Sequence, residues 1–185
     1  MVEETAHLID QVLNEIDAVL HKVDVRQIDQ TTKLITKNKR IFVLGSGRSG
    51  FAAKGFAMRL MHIGYQVYVV GETITPSIQK NDLLVVVSGS GETRTVLDLA
   101  KMAHDKGVKM IAITSNVKSS LAKLTDGLLQ VPGTTKNGDG INSIQLLSTL
   151  FDQSAQIVMD ILCLKLSMRD EISDEEAKSK HSNIE

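Results

Sequence analysis

Two short loops carry most of the chemistry that this sequence offers. Residues 45–50 read GSGRSG and residues 88–93 read SGSGET, and each ends an apolar run and opens a helical one. In the second loop Ser88, Ser90 and Thr93 supply hydroxyls, while Gly89 and Gly91 let the backbone approach a ligand closely. The helix that follows aims its free N–H groups and the positive end of its dipole at the same point. Such a nest suits a terminal phosphate monoester. In the first loop Ser46, Gly47 and Ser49 repeat the pattern, and Arg48 adds a guanidinium suited to clamping a phosphate or a sugar oxygen.

GSGRSG also satisfies the dinucleotide pattern G-x-G-x-x-G, and Glu72 sits near the place of a ribose-binding acid. The second loop argues against that reading, because a dinucleotide fingerprint has no use for another phosphate-sized cradle. Serine and glycine also serve plain strand-to-helix turns, with Ser90 or Glu92 as a cap. Two such loops together point to a ligand site.

Positioning these loops requires a sheet. Short β-rich runs at 40–44, 66–70, 82–88, 108–114 and 127–131 predict five strands. Helical spacing predicts helices over 49–63 and 93–106 and a short turn at 119–124. Strand–helix alternation implies an α/β fold, a three-layer α/β/α sandwich around a five-stranded parallel sheet. Ligands then bind outside the carboxyl ends of the strands, where both Ser/Gly loops fall. Two amphipathic helices precede the sheet, and a long helix over 142–167 follows it, with Ile144, Leu147, Phe151, Ala155, Val158, Leu162 and Leu166 on its apolar stripe. The tail from Met168 is polar and acidic. The whole is expected to be one domain over 1–185, with opening helices over 1–38 and a closing helix and tail over 142–185 packed on it. The loop GTTKNGDG, 133–140, is the most flexible-looking segment.

Composition excludes several classes. A net charge of −1 and six aromatics, four Phe and two Tyr, suit neither phosphate-backbone tracking nor base stacking, so no nucleic-acid partner is expected. MVEETAHLID lacks the features of a signal peptide, and no apolar stretch approaches the roughly 20 residues of a membrane span. A cytoplasmic protein with no membrane partner is expected. The histidines (His7, His21, His62, His104, His181) and the single Cys163 show no H-x-x-x-H or C-x-x-C spacing, so neither a metal nor a disulfide is expected. Cys163 lies in an apolar run and reads as a small buried hydrophobe. The apolar faces of the first two helices and of 146–166 exceed what a five-stranded sheet covers, which predicts a homo-oligomer.

SGSGET after a strand resembles the phosphosugar signature of SIS (sugar isomerase) domains. Paired with GSGRS at the first strand end, it resembles the hexuloisomerase branch of that family. AMRLMHIG at 57–64, VGETITP at 70–76, LFDQ at 150–153 and the terminal H-x-N-x-E at 181–185 extend the likeness over nearly the whole chain. The resemblance implies conversion of D-arabino-3-hexulose 6-phosphate to D-fructose 6-phosphate, the second step of formaldehyde fixation through ribulose monophosphate. It also implies a dimer or tetramer.

Moving a carbonyl along a sugar needs a base to take the neighbouring proton, giving an enediol, and polar groups to steady the oxygens. No cofactor is required. Asp152, His62 and His181 are the candidate proton-transfer groups, with Glu72 and Glu92 behind them as site-lining residues. The family usually carries Glu at the position of Asp152, so the carboxylate here is one methylene shorter. Asp152 could instead face solvent, and His62 could merely complement its helix dipole. His181 matters only if the tail docks over a pocket, for which a neighbouring subunit's is the expected place. The rivals are another phosphosugar isomerase of the same fold and a non-catalytic sugar-phosphate sensor module. No basic helix-turn-helix precedes residue 40 to support the latter.

Overall fold

The computed structural model describes residues 2–138 and 140–184. Asp139 in the glycine-rich loop and Glu185, the last residue of H-x-N-x-E, lie outside the described residues. Two helices open the chain, α1 (Val2–Leu20) and α2 (Val25–Leu34). The Asp24 side chain caps α2 by accepting from the Arg26 backbone N–H at 2.9 Å. Five strands follow, β1 (Ile41–Gly45), β2 (Val67–Val69), β3 (Leu83–Val87), β4 (Lys109–Thr114) and β5 (Gly127–Gln130). All pair in parallel in the order β2-β1-β3-β4-β5, so the topology reverses between β1 and β3. Helix α3 (Gly47–His62) leaves β1 and α4 (Arg94–Asp105) leaves β3. Both Ser/Gly loops therefore flank the reversal, where an open α/β sheet has its crevice.

Burial of all of β3, of β1 up to Leu44 and of β4 after Lys109 follows from their being covered on both faces. One face, with Ile41, Val43, Val85 and Ile113, packs against α3 and the long helix α5 (Thr149–Arg169) through Phe56, Leu60, Phe151 and Leu162. The other, with Phe42, Leu44, Leu84 and Met110, rests on α4 through Val96, Leu97 and Ala100. Removing a fully buried ring such as Phe151 would cost about 3–5 kcal/mol. The expected three-layer sandwich is thus what forms. Among the described residues no helix is long and apolar enough to cross a membrane.

Three elements depart from the expected ones. The closing helix begins at Thr149, not at 142, because Leu147 takes a left-handed backbone (φ 56) and Ile144 bonds to α1 rather than to a helical turn. Ile144 and Leu147, expected on the apolar stripe, are 53% and 73% exposed. Helix α3 starts two residues earlier than predicted, at Gly47. The acidic tail contains a sixth helix, α6 (Asp174–Ser179), held by a capping box in which Ser173 and Glu176 bond to each other's backbone N–H.

Candidate phosphosugar site

The carboxyl ends of β1 and β3 open into a cavity of about 520 Å³. Its floor is made by Ser46, Gly47, Arg48 and Ser49 from the first loop and Ser88, Gly89, Ser90 and Thr93 from the second. Gly45 lets the first loop turn this tightly, since a Cβ there would stand 2.8 Å from the Ser49 carbonyl oxygen. Ser46 and Thr93 are the N-cap residues of α3 and α4, yet neither hydroxyl caps its helix. Two helices therefore bring N-termini that no side chain at the N-cap satisfies to the edge of one cavity, which favours a bound anion. Arg48, with a largely exposed side chain, and Lys136 add positive charge to the walls.

Asp152 lies in the first turn of α5, one hydroxyl layer behind the cavity wall. Its carboxylate is 5% exposed and accepts from Ser49 Oγ at 2.8 Å and from Ser148 Oγ at 2.9 Å, with Arg48 Nε at 3.4 Å. Both serines line the cavity. The charge is thus oriented by two hydroxyls and balanced by one guanidinium, and its place in the first helical turn suits the dipole.

The remaining candidates fall elsewhere. Gly91 (φ 63) turns the chain against Ser119 and Thr114, and Glu92 accepts from the Ser120 backbone N–H at 2.6 Å. These two brace the second loop from outside the cavity. Glu72 is exposed beyond β2 and pairs with Lys54 at 2.5 Å, away from the cavity lining. His62 is only 3% exposed at the last residue of α3, and the ring of His181 stacks on it with centroids 5.1 Å apart. Burial first, then the charges of Arg59 and His181, hold the His62 imidazole below its ordinary value. Helix α3 has 16 residues, so this pair stands about 22 Å along the helix from Gly47, at ~1.5 Å per residue. Within one chain the structure sets Asp152 against the first loop, behind the cavity that both loops line, and keeps the two histidines apart from it. Cys163 is buried and its thiol is pushed up to about 12, chiefly by desolvation. Among the described residues, no group of three or more His, Cys, Asp or Glu is placed to hold a metal ion.

Four polar residues of the cavity went unnoticed in the sequence: Thr135, Lys136, Ser148 and Thr149. The adjacent Ser148 and Thr149 before an apolar helix are an N-cap signal that marks the true start of α5. Lys136 has no such signal in a glycine-rich loop.

Comparisons with known proteins identify the family. The SIS domain model matches residues 34–156. A 3-hexulose-6-phosphate isomerase of Bacillus subtilis is 34% identical over 98% of this chain and 100% of its own length. One from Mycobacterium gastri is 36% identical over 99% of this chain and 92% of its own. A solved structure from Methanococcus jannaschii, described as inferring a function of 3-hexulose-6-phosphate isomerase, superposes with a TM-score of 0.84 at 34% identity, covering 97% of this chain and 99% of that one. The chain belongs to the SIS domain family and, within it, to the branch that holds these 3-hexulose-6-phosphate isomerases.

Proposed function

We propose that the chain is an isomerase interconverting D-arabino-3-hexulose 6-phosphate and D-fructose 6-phosphate. The observation that carries this is the meeting of the α3 and α4 N-termini, neither capped by its N-cap side chain, with the hydroxyls of Ser88, Ser90 and Thr93 around one cavity. The phosphate sits on these amides and hydroxyls, and Arg48 and Lys136 supply charge. With the phosphate anchored, the carbons that react are held toward Ser49, Ser148 and Asp152.

In the forward direction a base takes the proton on C2, beside the C3 carbonyl, and the enediol forms between C2 and C3. A proton returned to C3 leaves the carbonyl on C2. Asp152 is the proposed base. Its oxygens lie behind Ser49 and Ser148, so a bound sugar reaches them by displacing a serine hydroxyl. His62 and His181 are the proposed proton donors, and because they stand at the far end of α3 from their own cavity, this reading has them serve the cavity of a second copy. The homo-oligomer, a dimer or tetramer, follows from this reading and from exposed Leu8, Ile9 and Leu13 on α1 and Phe51 and Met58 on α3. The same reading assigns the chain to formaldehyde fixation through ribulose monophosphate in the cytoplasm, with no metal or nucleotide cofactor.

A coupled assay for fructose 6-phosphate, run on purified protein with a 3-hexulose 6-phosphate, tests the reading. Turnover should persist in excess EDTA. Complete and reversible loss on chelation, or turnover only with aldose phosphates, would overturn it.

A further inference from the structure

One wall of the cavity is not held by the cavity. Residues 146–149 form it, and they follow a segment that leaves the bridge between Gly133 and Ile141 and joins α5 at Thr149. Packing does not fix this stretch, because Ile144, Leu146 and Leu147 all stand exposed. Its backbone is not relaxed either, since Leu147 adopts a left-handed conformation that a residue with a branched side chain adopts only under constraint. Apart from the Leu146 carbonyl, which accepts from Thr149 at the start of α5 through its N–H at 3.1 Å and its Oγ at 2.7 Å, the hydrogen bonds seen among the described residues between 142–147 and another element end on one carboxylate. Glu15 of α1 accepts from Ser143 Oγ at 2.6 Å, from the Ile144 backbone N–H at 2.7 Å and from Gln145 Nε2 at 3.3 Å.

The consequence for the site passes through Ser148. Holding 143–145 against α1 leaves two residues to turn back into α5, and that turn delivers the Ser148 hydroxyl to Asp152 at 2.9 Å. We propose that Glu15 is a positioning residue, whose carboxylate holds segment 143–145 so that Leu146, Leu147 and Ser148 form the cavity wall and Ser148 stays on Asp152. Hydrogen bonds to an ionised acceptor are the strong kind, and three on one group explain how an exposed apolar strap keeps a single path. Hydrogen bonds accepted by both of its oxygens also explain its acidity. Burial alone would raise it, but the bonds from Ser143, Ile144 and Gln145 outweigh that and hold it below the ordinary value. The proposal rests on the reading of this cavity as the reaction site only for its kinetic arm.

Two measurements on the full chain test it. Hydrogen exchange in the absence of substrate should show residues 142–148 exchanging at least tenfold faster in Glu15→Ala than in the parent, with the core strands unchanged. Asp17→Asn on the same helix should leave that segment alone. Equal exchange in Glu15→Ala and the parent would overturn the proposal whatever the enzyme's activity. In the isomerase assay Glu15→Ala should lower kcat/KM at least tenfold, with kcat affected because Ser148 no longer orients Asp152. If α1 loosens, the double variant Ser143→Ala, Gln145→Ala removes two donors from the other side and should reproduce both effects in weaker form. Faster exchange with unchanged kcat and KM would show a tether without a catalytic consequence and would overturn the positioning role. Loss of all activity in the parent would refute the isomerase reading and leave the exchange result standing by itself.

Discussion

The two ends of α3 are made from one helix and offer opposite chemistry. At the amino end, Gly47, Arg48 and Ser49 present small polar groups and free amides to a cavity, with Asp152 behind them. At the carboxyl end, Arg59 complements the negative end of the dipole, and the chain builds a closed, aromatic environment around His62. There His181 stacks on His62, and Tyr65 donates to Asp170 at 2.6 Å beside Arg169. The first end leaves its helix start uncapped by Ser46 beside a cavity, and the second is covered by the chain's own tail. The difference teaches that the proton-transfer groups proposed here are divided: one chain offers a carboxylate at its cavity and imidazoles about 22 Å away, at ~1.5 Å per residue along α3. On the proposed reading, a complete site takes its imidazoles from a second copy.

The largest expected effect comes from breaking each end separately and then mixing them. Asp152→Asn keeps the shape and removes the base, and should lower kcat by roughly 10²–10⁴ with little change in Tm. Deleting residues 179–185 removes His181 from the other end and should lower kcat by a similar factor, since an exposed polar tail contributes little to stability. If sites are shared, heteromers refolded from the two inactive chains recover turnover, because some sites then combine an intact Asp152 with an intact tail. Failure of every mixture to recover activity, with heteromers shown to form, would sink the division. Truncation that leaves kcat within threefold of the parent would make the tail irrelevant to chemistry.

A smaller effect sharpens the amino end alone. Ser90→Ala or Thr93→Ala removes one hydroxyl facing the cavity, and the loss should be on the order of 1–3 kcal/mol in binding a sugar phosphate. Calorimetry with fructose 6-phosphate checks it, and the same variants should bind unphosphorylated fructose no worse than the parent. Parent-like affinity for the phosphate ester would reduce SGSGET to a turn.

Most of the fold was legible because its signals are local. The strands of a parallel sheet are buried on both faces and read as unbroken apolar runs such as LLVVV, and each Ser/Gly loop sits where a run ends. What was not legible depends on partners far away in sequence. Ile144 and Leu147 keep helical spacing with Phe151, yet a carboxylate at position 15 captures the chain before the helix begins. Periodicity carries no information about such a bond. His62 and Asp152 were both identifiable as candidates by type, but spacing could not tell that one lies beside the loops and the other at the far end of the helix that leaves them. Lys136 illustrates a third limit, since its place in the cavity goes with a chain return that only the fold shows, with Ile141 donating to the Pro132 carbonyl at 2.8 Å.

The smallest expected effect concerns the carboxyl end and its response to pH. His62 is buried against His181, and the charged or titratable groups around it are Arg59 and His181. Desolvation, then the Arg59 charge, then His181 favour the neutral imidazole, so its folded value lies below the ordinary 6.5. A docked state that prefers the neutral form binds fewer protons than the undocked state wherever the two values differ. The contribution to docking is therefore complete above about pH 6.5 and declines as the pH falls from there toward the folded value. Exchange of residues 173–184 should accordingly quicken between pH 7.5 and pH 5 beyond the intrinsic dependence of amide exchange, while the strands show no such excess. His62→Phe keeps an aromatic face for His181 and removes one titrating group, so the excess should shrink. If the tail exchanges with the same corrected rate at both pH values, burial of His62 does not govern docking, and the contrast between the two ends of α3 rests on the helix dipole and the Tyr65–Asp170 bond.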